Sequence, residues 1–96
     1  MQRKILSNRD DAATLALQAL VWVLADDDRA QRLLSLTGLD VDELRATAGS
    51  EQTQLAILDY LMAYEPDLIA CAETIDLPPE KLVQAHALLS GGHDWG

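Results

Sequence analysis

The segment from Ala12 to Ala25 restricts the possible folds most strongly, because only two of its fourteen side chains, Thr14 and Gln18, are polar. Its apolar residues recur at helical spacing, and no part of the chain alternates polar and apolar residues for long enough to form a half-buried strand. A helix that is apolar around most of its circumference is normally covered on several sides. The sequence therefore predicts an all-α fold with this helix at its centre.

Capping and breaking residues divide the rest of the chain into further helices. A capping box at Ser7–Asp10 precedes the first helix. The second predicted helix begins at Asp26–Asp28 and ends at Gly38, and the third begins at Asp40 and ends at Gly49. The fourth begins at Ser50 and runs to Ala63. The fifth begins at Pro66 and runs to about Ile75, and the sixth begins at Pro78–Glu80 and runs to Leu89. We therefore expect a compact bundle of five or six helices.

The length of 96 residues fits a single domain, with a radius of gyration of about 12–13 Å. Because the chain contains no Phe, its core must consist mainly of Leu, Ala, Val and Ile. We predict a basic arm over residues 1–9, one helical domain over residues 10–90 and a flexible tail over residues 91–96. The longest mostly apolar stretch, Leu15 to Ala25, is too short to span a bilayer, so a cytoplasmic protein is expected.

Sliding the chain on itself by 38 residues aligns the apolar residues of two long helices. Leu17 and Leu20 fall on Leu55 and Leu58, and five identities occur over residues 17–48. The same offset keeps three successive helices in phase, which favours two long–short–short helical units. A single irregular six-helix bundle with coincidental phasing is the alternative, and the sequence does not decide between the two.

Acidic residues outnumber basic ones by sixteen to seven, which gives a net charge of −9. Arg3, Lys4 and Arg9 precede every acid, so the rest of the chain is more acidic still. The basic arm is either solvated or docked onto an acidic surface, its own or that of a second copy. Such an acidic domain does not gain affinity by neutralising phosphates, so nucleic-acid binding is not expected.

The segment from Arg32 to Ala48 has the helix–turn–helix outline of a DNA-reading unit. Its second helix would enter the major groove with Asp42 and Glu43 leading, and phosphate repels both carboxylates. We therefore expect this segment to adopt the helix–turn–helix geometry but not to bind DNA.

Motifs for catalysis or metal binding are missing from the sequence, including a Gly-rich phosphate loop and paired cysteines. His86 lies on an apolar stripe, which predicts a half-buried imidazole bonded to backbone or water, and a metal site shared with His93 would need further ligands. Cys71 is predicted to be a small buried residue rather than a nucleophile. Asp26–Asp28 are interpreted as capping and solubilising residues. No enzymatic activity, cofactor or metal is expected.

Three runs of residues, taken together, resemble a known protein family. They are Thr14–Leu20, Leu33–Asp40 followed by Glu43–Arg45, and Ala56–Leu61. Their order and spacing are similar to those of the short bacterial proteins catalogued as domain of unknown function 3572, over about Asp10 to Leu89. The resemblance implies a small stand-alone α-helical cytoplasmic protein, and it carries over no activity, cofactor or site residue.

The remaining features favour a small acidic protein-interaction or regulatory module without catalytic activity. Its predicted contact patch consists of Tyr64, Tyr60, Glu65 and Asp67, because Tyr64 lies at a helix end where its ring stays partly in solvent. The other interpretation of Tyr64 is that it caps the local core with its hydroxyl in solvent. The partner is expected to be another protein or a second copy, with no nucleic acid, membrane or metal involved. The alternative is an acidic decoy that occupies a basic nucleic-acid-binding surface of another protein. Association carried by charge weakens sharply with salt, whereas a hydrophobic interface barely responds.

Overall fold

Six helices make up the part of the chain that the computed structural model describes, residues 9–91, and this part contains no strand. In chain order they are α1 (Arg9–Leu24), α2 (Asp27–Thr37), α3 (Val41–Ala46), α4 (Glu51–Ala63), α5 (Glu65–Thr74) and α6 (Pro79–Leu89). The all-α prediction is confirmed. The capping hydroxyl predicted at Ser7 lies outside the described residues.

Side-chain caps open three of the helices at the predicted residues. The Asp26 carboxylate accepts a hydrogen bond from the backbone N–H of Arg29 at 3.0 Å, where α2 begins. At α3, Asp40 and Glu43 each accept a bond from the other's backbone N–H, at 2.8 and 2.9 Å, which completes a capping box. The Ser50 hydroxyl caps α4 in the same way. Because each cap satisfies a backbone N–H that has no partner within its helix, local sequence determines where these helices begin.

Helix α3 ends at Ala46, although the sequence predicted that it continues to Gly49. The hydroxyl of Thr53 in α4 donates to the hydroxyl of Thr47 at 2.9 Å. Gln54, also in α4, donates its side-chain N–H to a carbonyl of the same turn at 2.9 Å. Because side chains of α4 hold this turn, the chain leaves the helix before Gly49, and that predicted boundary is wrong.

Helices α1, α4 and α6 pack against one another, and α1 also contacts α2 and α5. The predicted central position of the first helix is therefore confirmed. One face of α1 carries Ala12, Ala16 and Ala19, all fully buried, and such small side chains allow neighbouring helices to approach closely. Leu20 of α1 and Leu58 of α4 are also buried in this core, which consists mainly of Leu and Ala.

The two halves of the fold agree with the proposed repeat at one point and differ at another. Helices α2 and α5 are both followed by left-handed backbone, at Gly38 with φ 73° and at Asp76 with φ 62°, and these positions match under the 38-residue offset. However, α3 has six residues and buries Leu44, whereas α6 has eleven residues and packs against α1, α4 and α5. The structure therefore does not confirm the repeat.

Left-handed backbone gives opposite expectations for substitutions at Gly38 and Asp76. An added Cβ at Gly38 would meet no heavy atom within 4 Å, so Gly38→Ala should lower the free energy of unfolding by about 1–2 kcal/mol through backbone strain alone. Asp76→Gly relieves such strain and should raise the free energy of unfolding by about 0.5–1 kcal/mol. Urea denaturation measures both, with Gly49→Ala as the control, because Gly49 has equal space and no positive φ. Equal effects at Gly38 and Gly49 would contradict this prediction.

The radius of gyration is 12.8 Å, in agreement with the value expected from the chain length. Within the described part of the chain, no helix combines the length and the apolar character needed to cross a membrane. The predicted basic arm and tail fall mainly on residues 1–8 and 92–96, which are outside the described range.

Candidate functional site

A groove with a volume of 410 Å³ lies between α2 and the end of α4 and opens to solvent. We call it the α2–α4 groove and define it by the residues that line it, which are Gln31, Arg32, Ser35, Leu36, Tyr60, Ala63 and Tyr64. The four residues from α2 share one helix face, because residues four apart lie one above the other. Ligand sites in proteins commonly have volumes of about 300–1,000 Å³, so the groove has the size of a binding site.

Arg32 carries the positive charge of the groove. Its guanidinium carbon lies 4.8 Å from the centre of the Tyr64 ring, which is a cation–π contact between α2 and the end of α4. Its Nη1 atom is 3.9 Å from Oδ2 of Asp67, so the two charges attract without a hydrogen bond. Nη1 is buried without a hydrogen-bond partner among the described residues, while 41% of the Arg32 side chain stays exposed. The contact places the Tyr64 ring at the edge of the groove.

Tyr60, which the sequence assigned to the contact patch, belongs to the floor of the groove. Its side chain is 2% exposed, because it is part of the buried core. Its hydroxyl donates a hydrogen bond to Oδ2 of Asp67 in the first turn of α5. Burial raises the pKa of the Tyr60 hydroxyl well above its usual range, and the carboxylate acceptor raises it further. Tyr60 therefore stays neutral and links α4 to α5.

The other three residues of the predicted patch lie where α4 meets α5. Tyr64 connects the two helices, and its side chain is 43% exposed. Glu65 is exposed beside it, whereas Asp67 is partly buried. The structure thus places Tyr64 and Glu65 together at the surface, and it places Asp67 in contact with Tyr60 and Arg32.

The α2 side of the groove was not predicted from the sequence. Leu36 is 64% exposed although it is a large apolar residue. The one available signal is spacing, since Arg32 and Leu36 are four residues apart and therefore share a face of α2. Spacing assigns residues to a face, but it does not show that this face lies beside α4.

His86 lies at a different surface, where α6 meets α4. Its Nε2 atom is 2.6 Å from Oδ1 of Asp59, so the predicted backbone or water partner is wrong and the partner is a carboxylate 27 residues away in the chain. Within residues 9–91, no group of three His, Cys, Asp or Glu residues is arranged to hold a metal ion. His93, the other histidine considered for a metal site, is outside the described range.

Cys71 is fully buried in the core, as predicted. Burial raises the pKa of the Cys71 thiol to about 11, because a thiolate is poorly solvated there. Since the thiolate is the reactive form of cysteine, this thiol is unreactive near neutral pH. The position fits a packing role.

A family model described as Protein of unknown function (DUF3572) matches residues 9–92, which is nearly the whole chain. The matched range contains every residue that lines the α2–α4 groove. No curated protein and no solved structure matches the chain. The family match agrees with the resemblance seen in the sequence, and it brings no activity or site residue with it.

Proposed function

The chain belongs to the DUF3572 family, whose function is not known, and from the geometry of the groove we propose that it is a protein-interaction module without catalytic activity. In this proposal the α2–α4 groove receives a segment of the partner. Leu36 and Tyr64 are the main contact residues, one on each side of the groove.

The observation that carries the proposal is the exposure of two large apolar side chains in one concave surface. Leu36 is 64% exposed and Tyr64 is 43% exposed, and both line the α2–α4 groove. Single exposed apolar residues are common on proteins, but apolar side chains that converge on a concavity are typical of binding sites. Tyrosine is also enriched among the residues that contribute most to binding energy.

Contacts between helices support the proposal because they hold the groove in shape. Arg32 of α2 stacks on Tyr64, and Tyr60 of α4 donates to Asp67 of α5. A surface whose side chains are already ordered loses less conformational entropy when a partner binds. The affinity of a small groove benefits from such pre-organisation.

The polar groups near the groove favour binding over catalysis. General acid–base catalysis works best with a group that changes its protonation near the operating pH. The pKa of Tyr60 is raised away from that range by burial and by the Asp67 carboxylate. Asp67 itself is engaged by Tyr60 and lies beside Arg32.

Site-specific photocrosslinking tests the proposal. A photoreactive amino acid replaces Leu36 in one sample and Val83 in the control, because Val83 is also apolar, is 41% exposed and lies on α6 outside the groove. After irradiation in an extract of the source organism, we expect a discrete adduct from position 36 and none from position 83. Mass spectrometry identifies the partner, which is then purified for binding measurements.

Tyr64→Ser should weaken binding of that purified partner by about 30-fold or more, the loss typical of a residue that dominates an interface. Because the Tyr64 ring is partly in solvent, the melting temperature should change little. Val83→Ser is the matched control and should leave the affinity nearly unchanged. An adduct at position 83 alone, or a Tyr64→Ser variant that binds as tightly as the parent, would contradict the proposal.

A further inference from the structure

Acidic side chains extend the surface of the α2–α4 groove. On α2, Asp27 and Asp28 lie one turn before the groove-lining residues, on the same helix face, and both are exposed. On the other side, Glu65 directly follows Tyr64 and is also exposed. We call Asp27, Asp28 and Glu65 the acidic rim.

The positive charge in the groove does not balance the acidic rim. Among the residues that line the groove, all of them in the described part of the chain, Arg32 is the single base. Its guanidinium lies 3.9 Å from the Asp67 carboxylate, which is 14% exposed and is therefore little screened by solvent. Because Arg32 and Asp67 neutralise each other, the acidic rim retains its negative charge.

An apolar groove beside an acidic rim selects a partner of matching chemistry. We propose that the α2–α4 groove binds an amphipathic segment of another protein, with an apolar anchor between Leu36 and Tyr64 and with Lys or Arg residues that reach the acidic rim. This inference rests on the proposed function and adds the chemical class of the partner. A helix suits the site, because a groove between two helices can receive the apolar face of a third.

The net charge of the whole chain supports the same class of partner. A charge of −9 attracts a basic segment from a distance and speeds its encounter with the groove. A second copy of this chain carries the same charge and the same acidic rim, so two grooves facing each other repel. The charge pattern therefore favours a different, basic protein over self-association.

Two fluorescently labelled synthetic helices test the inference against the full-length protein. They share one pattern of Leu and Trp anchors and differ only in their flanking residues, which are Lys in one peptide and Glu in the other. Fluorescence anisotropy is recorded at about 0.05 M and about 0.5 M salt, because exposed charges are strongly screened at the higher concentration. At low salt the Lys peptide should bind about tenfold tighter than the Glu peptide, and the difference should shrink at high salt.

Two triple variants of equal net charge separate the acidic rim from the charge of the whole chain. The rim variant carries Asp27→Asn, Asp28→Asn and Glu65→Gln. The remote variant carries the same kinds of change at exposed acids elsewhere in the fold, namely Asp42→Asn on α3, Glu73→Gln in the last turn of α5 and Glu80→Gln on α6. The rim variant should lose most of the preference for the Lys peptide and the remote variant should keep it. Equal losses in the two variants would overturn the inference.

Leu36→Ser shows whether a peptide occupies the groove. If the Glu peptide binds as tightly as the Lys peptide and Leu36→Ser weakens both, the groove is a docking site but the inference about its partner is overturned. If Leu36→Ser leaves peptide binding unchanged, the inference is overturned, and the crosslinking experiment still decides the proposed function. A dimer seen by sedimentation velocity that the Leu36→Ser variant loses would assign the groove to a second copy and overturn the inference.

Discussion

Leu58→Ala is expected to lower the free energy of unfolding by about 3–5 kcal/mol. Leu58 is fully buried on α4, which contacts α1, α2, α5 and α6. The shorter side chain leaves a cavity that these helices cannot fill without moving, so lost dispersion contacts add to the lost burial of apolar surface. Since small domains have a total stability of about 5–15 kcal/mol, this single change removes a large share of it. Urea denaturation followed by circular dichroism gives the value.

Met62→Ala is the matched control for this prediction, because Met62 lies on the same helix one turn later and is 40% exposed. Its loss of stability should stay below about 1 kcal/mol, as for most surface substitutions. Leu20→Ala, at a buried position of α1, should cost about 2–4 kcal/mol. A loss at Leu58 no larger than the loss at Met62 would show that α4 presents a different face to the core.

The starts of the helices could be predicted because the groups that determine them are close in sequence. The Asp26 and Ser50 side chains each bond a backbone N–H three residues ahead. The end of α3 could not be predicted in this way, since Thr53 and Gln54 of the following helix hold the turn. Local chemistry thus determines a cap, whereas contacts between elements decide how far a short helix continues.

The candidate site was predictable only in part for the same reason. The exposure of Tyr64 follows from its position at a helix end, which the sequence shows. The burial of Tyr60 depends on how α5 folds back, because Asp67 of that helix accepts the hydrogen bond from its hydroxyl. The contribution of Leu36 depends on the packing of α2 beside α4. The spacing of residues within α2 or within α4 does not show how these helices pack against their neighbours.

Arg29 joins α2 to the end of α1, and this contact was not predicted. Helix α1 has no basic residue in its last turn, where a cation would stabilise the helix dipole. Arg29 supplies one from the next helix, since its Nη2 donates to the carbonyl of Trp22 at 2.7 Å. Its guanidinium carbon also lies 3.6 Å from the centre of the Trp22 ring. One side chain therefore caps α1 and fixes the angle at which α2 leaves it.

Arg29→Ala is expected to lower the free energy of unfolding by about 2–3 kcal/mol. A hydrogen bond from a charged group contributes about 1.5–3 kcal/mol and a cation–π contact about 0.5–2 kcal/mol. These gains are offset in part, because Nε of Arg29 is buried without a hydrogen-bond partner among the described residues, and alanine removes that cost.

Two further variants identify which property of Arg29 matters. Arg29→Lys keeps the charge but loses the planar stack on Trp22. Its free energy of unfolding should therefore fall between that of the parent and that of Arg29→Ala. Arg45→Ala removes the same charge at an exposed position of α3 and should stay within about 0.5 kcal/mol of the parent. Denaturation curves that place Arg29→Ala beside Arg45→Ala would show that the contact with Trp22 adds no stability.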